Sequence, residues 1–365
     1  MNLLKNWRFW LGCTISLLCL WLAFRKVPLG ELFHAVAGAN LLFLLAAFTL
    51  QFLAVLSRAP RWLVLLDKKS GLANSFWAQS VGFLFTNVFP LRLGEPARVL
   101  VMSDRCRLPV MQVAASAIVE RLLDVAANVL ILILVLPWMQ VPPLMKRAGI
   151  VSGVLVLTGL GILLLVVRSG RHSERLLQSV CAHLPLLPAE KIIARWRELV
   201  VGFLPWTRWR TALRASAWSL VTWGLSLSVF WSVLRAFQPD ARVVEAAFMM
   251  VALAFALTVP SSPGFVGVFQ LVGQQALVLP FGAKYDAAGA LAITLTAHLV
   301  YYLLTTTLGV VGLWHLGESF VNIGRIVLAR RPPGEPPSGE VAPQASAGEK
   351  AGNATREHHE RTREL

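Results

Sequence analysis

Charged residues are scarce in this sequence of 365 residues, of which only 15% are Asp, Glu, Lys or Arg. Soluble domains contain about a quarter of such residues, so the chain has too little charge to cover a surface exposed to water. This scarcity excludes an ordinary soluble enzyme, a disordered chain and a coiled coil. Although the length would accommodate two soluble domains, the 56% of hydrophobic residues indicates one polytopic membrane domain.

Acidic residues are the scarcer charged class, because 19 Asp and Glu stand against 34 Lys and Arg, for a formal net charge of +15. Nearly all of this excess lies before residue 325, between the hydrophobic runs. Such an excess is typical of cytoplasmic loops and of contact with anionic lipid headgroups. Nucleic-acid binding is the other interpretation of a basic chain, but no groove-reading motif is present. We therefore predict no nucleic-acid partner.

Cysteine and the motifs of soluble chemistry are also missing. The four cysteines have no metal-ligand spacing and no convincing disulfide framework. The sequence contains no Walker A loop, dinucleotide fingerprint, H-E-x-x-H motif or G-x-S-x-G motif. We therefore predict no cofactor, no metal and no catalytic residue. Without an ATP site, any transport would use a substrate gradient, an ion gradient or the membrane potential, or would be passive.

Long apolar runs are abundant, and several are long enough to cross the ~30 Å hydrocarbon core of a bilayer. Six of them are predicted membrane spans, near residues 9–24, 40–57, 117–137, 149–167, 215–235 and 288–314. Two further runs, 76–90 and 246–280, are interrupted by proline and glycine. Interrupted apolar segments are typical of re-entrant or discontinuous helices that line a cavity. The predicted fold is an all-α polytopic bundle.

The distribution of Lys and Arg favours re-entrant segments over eight simple spans. With six spans and two re-entrant segments, most basic residues lie on the cytoplasmic side and both termini are cytoplasmic. Eight spans would place the basic stretch 91–109 outside. The six-span order makes the halves, about 1–140 and 149–320, inverted repeats of three spans plus one broken segment each. A Pro-x-x-x-Gly pattern at Pro90–Gly94 and Pro260–Gly264 accompanies the two breaks.

Two segments stand apart from the spans. The connector 168–214 contains an amphipathic pattern over 190–204, which predicts a helix on the inner membrane surface that joins the halves; a regulatory or docking role is the alternative. The tail 325–365 is rich in Pro, Gly, Ser, Ala and Glu and is predicted to be disordered and cytoplasmic. The membrane domain therefore extends over residues 1–324.

Charged residues next to apolar spans form the first candidate site. Charge inside a membrane is costly, and it marks a functional site by default. The residues are three of each sign: Arg92, Arg98 and Arg121, and Glu95, Glu120 and Asp124. One interpretation is a balanced ion-pair network that holds a hairpin. The other is a site for a lipid phosphate, with arginines as bidentate donors.

The second half contributes polar groups instead. His298 and Tyr301 lie on one face of the last predicted span, together with Thr294 and Thr305. A histidine in such a span is either a hydrogen-bonded packing residue or a binding residue. At the second break, freed backbone N–H groups could bind an anion. The candidate residues there are Ser261, Ser262, Gly264 and Gly267, and Gln270, Gln274 and Gln275 follow them.

Three segments together resemble the lysylphosphatidylglycerol synthase transmembrane-region family. They are 87–98, 120–124 and 260–267, and the resemblance covers roughly residues 5–320. That family is similar to the membrane half of the bacterial multiple peptide resistance factor, which moves aminoacylated phosphatidylglycerol. The resemblance implies a lipid flippase without the soluble domain that transfers lysine. Its implied signature positions are Arg92, Glu95, Arg98, Glu120, Arg121, Asp124, Pro260, Gly264 and Gly267.

The predicted function is therefore a flippase or transporter that moves a phospholipid or lipid-linked headgroup across the cytoplasmic (inner) membrane. Its predicted partners are membrane lipids, either an anionic phospholipid or a glycolipid. A homo-oligomer and a lipid-biosynthetic enzyme partner stay open. Two alternatives also stay open: an integral-membrane lipid-modifying transferase with Glu95, Asp124 or His298 as its base, and a non-catalytic partner of a lipid-modifying enzyme.

Overall fold

A computed structural model provides the architecture, and in the part of the chain that it describes every regular element is helical. The predicted all-α class is therefore confirmed. The described residues are 7–25, 27–67, 69–89, 92–138, six isolated positions between 151 and 165, 169–182, 189–257, 262–317, 319–320 and 323–324. The predicted span 149–167 is thus only fragmentarily covered, and the predicted tail lies outside the described residues.

Twelve α-helices are described over these ranges. They are α1 (Trp7–Phe24), α2 (Leu29–Ala37), α3 (Leu41–Leu65), α4 (Leu72–Val88), α5 (Gly94–Cys106), α6 (Val110–Val135), α7 (Gly170–Ala182), α8 (Ala189–Thr207), α9 (Trp209–Phe237), α10 (Val243–Ala256), α11 (Val268–Phe281) and α12 (Ala287–Leu316). A short 3₁₀ turn, Pro263–Phe265, precedes α11. Four helical stretches are long and apolar enough to span a bilayer: α3, α9, α12 and Pro263–Phe281. The chain is a multi-pass membrane protein.

Local sequence explains where several of these helices begin and end. The Asn40 side chain accepts a hydrogen bond from the backbone N–H of Leu42 at 3.0 Å and so caps α3. The Asp286 carboxylate does the same for α12 through the N–H of Gly289, and Gly317 ends α12 in the left-handed conformation. Helix α4 stops at Val88, because the residue that precedes a proline, here Phe89, is disfavoured in the helical conformation.

The structure corrects three predicted boundaries. The span predicted for 40–57 continues as α3 through Pro60 to Leu65, and α2 was not predicted. The first interrupted segment is a helical hairpin of α4 and α5, which covers 72–106 rather than 76–90. The second is likewise a hairpin, of α10 and α11, which covers 243–281. Each hairpin consists of two helices with a break between them, called here the first break (89–93) and the second break (257–267).

Helix packing brings the two hairpins together. Helices α3 and α9 form the most extensive contact, and Ser57 and Thr222 share a 2.8 Å hydrogen bond across it. Helix α4 of the first hairpin packs on α12, and α10 of the second packs on α6. Helix α5 also packs on α6, and α11 packs on α12. The 3₁₀ turn Pro263–Phe265 of the second break also contacts α4, so the described parts of the two breaks lie close together.

The amphipathic helix predicted over 190–204 corresponds to α8. Its Gly202 lies against Gln112 and Ala115 of α6, where a Cβ atom would come within 2.6 Å of the Ala115 side chain. Arg197 of α8 also donates hydrogen bonds to Glu174 of α7, which lower the pKa of that carboxyl. The connector is therefore packed tightly onto the first half, whereas its position at the membrane surface stays a prediction.

Candidate functional site

The first break turns the chain sharply before α5 begins. Arg92 has φ = 56°, a left-handed conformation that costs a residue with a Cβ atom about 1–3 kcal/mol. Gly94 is required at the start of α5, because a Cβ atom there would lie 2.0 Å from both Gly82 O and Thr86 Oγ1 of α4. The glycine therefore lets α5 begin in direct contact with α4.

The second break contains a cluster of left-handed residues. Gly264, Phe265 and Gly267 have φ values of 64°, 59° and 89°. A Cβ atom on Gly264 would lie 2.7 Å from the ring of Tyr302 and 3.2 Å from the backbone O of Asn87. The backbone of the second break thus lies directly against the end of α4, beside the first break.

Side chains also connect the two breaks. The Arg92 guanidinium carbon lies 5.7 Å from the centroid of the Phe265 ring, within cation–π distance. Asn87 donates hydrogen bonds to Thr305 and Thr306 of α12 at 3.0 and 2.9 Å. The first hairpin is thereby joined to the second half at its break.

A fully buried carboxylate, Glu120 of α6, is the centre of the charged site. It accepts hydrogen bonds from Arg61 Nη2 at 2.5 Å and from Arg98 Nη1 at 2.7 Å. Arg61, also fully buried, donates a further bond to Asp124 Oδ1 at 2.6 Å. Asp124 Oδ1 in addition accepts from Trp223 Nε1 of α9 at 3.0 Å. These residues form the inner network, which joins α3, α5, α6 and α9.

Glu95 and Arg121 lie at the exposed edge of the same cluster, with side chains 40% and 42% exposed. Glu95 contacts Arg98 Nη2 at 2.7 Å and Arg121 Nε at 3.4 Å. Arg121 also lies 3.3 Å from Asp124, at i, i+3 spacing on α6. Arg92, by contrast, has no carboxylate within ion-pair distance among the described residues. The charged cluster therefore has a closed interior and an accessible edge.

A cavity of about 240 Å³ opens at this edge, between the two breaks. Its charged wall carries four guanidinium groups and two carboxylates. The residues that line it are Arg58, Gln79, Gly82, Phe83, Thr86, Arg92, Gly94, Glu95, Arg98, Arg121, Asp124, Val125, Asn128, Trp223, Ala254, Leu257, Phe265 and Tyr301. Donors of this kind bind carboxylate or phosphate oxygens bidentately. The cavity is suited to an anionic group.

The sequence analysis missed two residues of this cluster, Arg58 and Arg61. Both follow the apolar run that was predicted to end at residue 57, and they are spaced i, i+3. Because α3 continues past the proline, Arg61 enters the inner network and Arg58 lines the cavity. The prediction of three charges of each sign was therefore wrong for the assembled cluster, which contains five arginines and three carboxylates.

The second-half residues lie in a separate, neutral arrangement. The ring of His298 shares hydrogen bonds with Gln270 Nε2 at 2.8 Å and with Gly264 O at 2.9 Å, and it stacks on Phe269. With Nε2–H donating to the carbonyl, Nδ1 accepts from the glutamine amide, so both ring nitrogens of a neutral imidazole are used. His298 is 5% exposed and does not line the cavity.

Of the other predicted residues of the second half, one lines the cavity and others are hydrogen-bonded within the protein. Tyr301 lines the cavity. The Ser262 N–H donates to Ser16 Oγ of α1 at 3.2 Å, and the Gly267 N–H donates to Gln270 Oε1 at 2.7 Å. Those two N–H groups already have partners inside the protein. Ser261 lies outside the described residues, and binding at the second break stays a prediction.

Comparison with known proteins agrees with this picture. The sequence model of the family described as the lysylphosphatidylglycerol synthase TM region matches residues 9–309. This range includes all twelve helices except the ends of α1 and α12, and it contains every residue of the charged cluster. None of the curated proteins matches the chain. Among the described residues, no group of three or more His, Cys, Asp or Glu side chains could hold a metal ion.

Proposed function

The chain belongs to the lysylphosphatidylglycerol synthase transmembrane-region family, and on that premise we propose that it is a flippase that moves a phospholipid or lipid-linked headgroup across the membrane. Membership itself indicates a membrane protein of lipid modification or transport. The observation that carries the transport proposal is the cavity between two broken hairpins, with an arginine-rich wall. Discontinuous helices whose breaks meet around a polar cavity are the usual substrate site of transporters.

The proposal extends to inverted repeats. Helices α3 and α9 would be counterparts that pair with each other across a pseudo-two-fold axis. The contact of α4 with α12 would then correspond to that of α10 with α6, and the contact of α5 with α6 to that of α11 with α12. The pattern of helix contacts supports this arrangement. The two Pro-x-x-x-Gly glycines do not correspond, since Gly94 begins α5 whereas Gly264 precedes α11 by four residues.

In this mechanism the inner network and the exposed edge of the charged cluster have different roles. The inner network holds α3, α5, α6 and α9 together, because removing either sign would leave a buried charge unpaired. The residues at the edge bind the headgroup phosphate, with Arg92 and Arg121 as donors and Glu95 as their counter-charge. The headgroup would occupy the cavity while the acyl chains remain in the hydrocarbon. The membrane would be the cytoplasmic one, with both termini cytoplasmic as the basic loops predict.

Transport can be tested in proteoliposomes that contain a fluorescent phospholipid, with dithionite to bleach the outer leaflet. Wild-type protein is expected to expose inner-leaflet lipid to bleaching, and Glu95→Gln and Arg121→Gln to slow this strongly. Arg210→Gln is a matched control, since Arg210 is exposed, outside the cavity and stacked on Trp209. Arg98→Ala is less informative, because Arg98 belongs to the inner network and its loss would also reduce stability.

Two outcomes would contradict the proposal. Wild-type vesicles that bleach no more than protein-free vesicles, with every labelled anionic lipid and with a membrane potential applied, would exclude a flippase. A new covalent lipid product, formed when the purified protein is incubated with membrane lipid and activated donors, would favour a lipid-modifying transferase instead.

A further inference from the structure

Two arginines of the cavity, Arg58 and Arg92, lack a close carboxylate. The other arginines of the cluster have ion-pair distances of 2.5–3.4 Å. Among the described residues, Arg58 reaches one carboxylate oxygen, on Asp124, at 3.9 Å. Arg92 has no ion pair in the described part of the chain. Both guanidinium carbons instead lie 5.7 Å from a phenylalanine ring centroid, on Phe83 and Phe265 respectively.

These two residues account for the charge imbalance of the cluster. Five arginines and three carboxylates leave a formal charge of +2, and the two arginines without a close carboxylate are Arg58 and Arg92. Both face the same cavity. An unbalanced pair of charges in a largely buried site is costly unless an anion compensates it. The deficit is therefore two negative charges, located at the cavity.

Buried polar atoms without partners support a missing ligand at the same place. Arg92 Nε is a buried donor, and Asn128 Oδ1 is a buried acceptor, and neither has a hydrogen-bond partner among the described residues. Asn128 is 4% exposed and lines the cavity on the same face of α6 as Asp124. Buried polar atoms normally have partners. Here the donor suits a phosphate oxygen, and the acceptor suits a hydroxyl beside it.

We infer that the cavity takes a lipid whose headgroup ends in a doubly charged phosphate, a phosphomonoester or diphosphate, in preference to a phosphodiester or a headgroup with an ammonium group. The inference rests on the proposed function and names its substrate class. A phosphomonoester carries about −1.5 to −2 charges at pH 7 and three acceptor oxygens, so it can satisfy both arginines. A phosphodiester supplies one charge, and an ammonium group would add positive charge beside the arginines.

The test compares lipids with identical acyl chains on the purified full-length protein, by native mass spectrometry and by binding titration in detergent. The lipids are phosphatidic acid, phosphatidylglycerol, phosphatidylcholine and lysyl-phosphatidylglycerol. Phosphatidic acid is expected to bind about tenfold or more tightly than phosphatidylglycerol, as one further charge-assisted hydrogen-bonded contact implies. Inorganic phosphate, added as a competitor, is expected to displace phosphatidic acid only at far higher concentration, because it lacks acyl chains.

Two variants test whether Arg58 and Arg92 determine the headgroup preference. Arg58→Gln and Arg92→Gln are each expected to reduce the preference for phosphatidic acid over phosphatidylglycerol to within about threefold, as loss of one charge-assisted contact implies. Arg210→Gln should leave the preference unchanged. Arg58 lies in a regular helix, so its variant keeps the test decisive if the strained backbone at Arg92 does not tolerate substitution.

The results separate this inference from the proposed function. Equal binding of phosphatidic acid and phosphatidylglycerol, or preference for the lysyl lipid, would overturn the inference while transport in vesicles could still stand. Displacement by inorganic phosphate at concentrations similar to the lipid would assign the site to free phosphate and overturn the lipid ligand. Absence of transport with any lipid would contradict the proposed function itself.

Discussion

The two hairpins of this protein each consist of two helices with a break between them, but the side chains around the two breaks differ in charge. Beside the break of the first, α4 and α5, lies the ion-pair network around Glu120 of α6, and Glu95 of α5 lies at its accessible edge. The break of the second, α10 and α11, is held by neutral hydrogen bonds. The Gly267 N–H donates to the Gln270 side chain, and the His298 ring bonds both to that side chain and to the Gly264 carbonyl. In the second, both ring nitrogens of His298 already have partners, so this imidazole has no hydrogen-bonding group left for a ligand.

This difference indicates that the two breaks have different roles, one structural and the other in binding. Neutral hydrogen bonds satisfy the Gly264 carbonyl and the Gly267 N–H of the second break at modest cost. The charged cluster beside the first break instead carries more positive than negative charge, and we have proposed that an anionic headgroup from outside the protein compensates it. We expect substitutions in the charged cluster to affect stability or lipid binding strongly, and those at Gln270 and His298 to affect stability alone.

The largest effect is expected from Glu120→Ala. This change leaves Arg61 and Arg98 buried without their shared carboxylate, and the free energy of unfolding should fall by about 3–5 kcal/mol. Denaturant titration of the detergent-solubilised protein measures it, with Glu95→Gln at the exposed edge as the comparison. A loss below 1 kcal/mol for Glu120→Ala would mean that the inner network does not hold the four helices.

A smaller but clear effect is expected from Gly94→Ala. The added methyl group would overlap Gly82 O and Thr86 Oγ1, so α5 has to move away from α4 and the protein should lose about 1–3 kcal/mol or more. Gly224→Ala in α9 is the control, since nothing lies within 4 Å of its Cβ position and alanine favours a helix. If both variants unfold at the same denaturant concentration, the close approach of α4 and α5 is not important for stability.

The smallest effect is expected in the second hairpin, from Gln270→Ala. The change removes the hydrogen bonds to His298 and to the Gly267 N–H, which should cost about 1–3 kcal/mol. The preference among lipid headgroups should not change, because Gln270 does not line the cavity. Lipid titration and denaturant unfolding on the same preparation separate the two quantities. An altered headgroup preference would show that the second hairpin also takes part in binding.

Much of the fold could be predicted because its signals are local. The positions of both breaks follow from Pro90 and from the closely spaced prolines and glycines between Pro260 and Gly267, since such residues disfavour a continuous helix. The polar stripe of Glu120, Asp124 and Asn128 follows from helical spacing alone. The span boundary at residue 57 was wrong because the apolar run ends there, whereas tertiary packing carries α3 through Pro60 to Leu65.

The sequence by itself determined that this is an all-helical membrane protein with two interrupted hairpins and charges beside the first. Composition and periodicity are sums over neighbouring residues, and they need no knowledge of the fold. Only the tertiary structure decided which charges meet. Arg61 reaches Glu120 and Asp124 from 59 and 63 residues away, and Arg58 enters the same cavity. A long-range pairing of this kind depends on how α3 packs against α6, and it changed a balanced cluster into one with two unmatched positive charges.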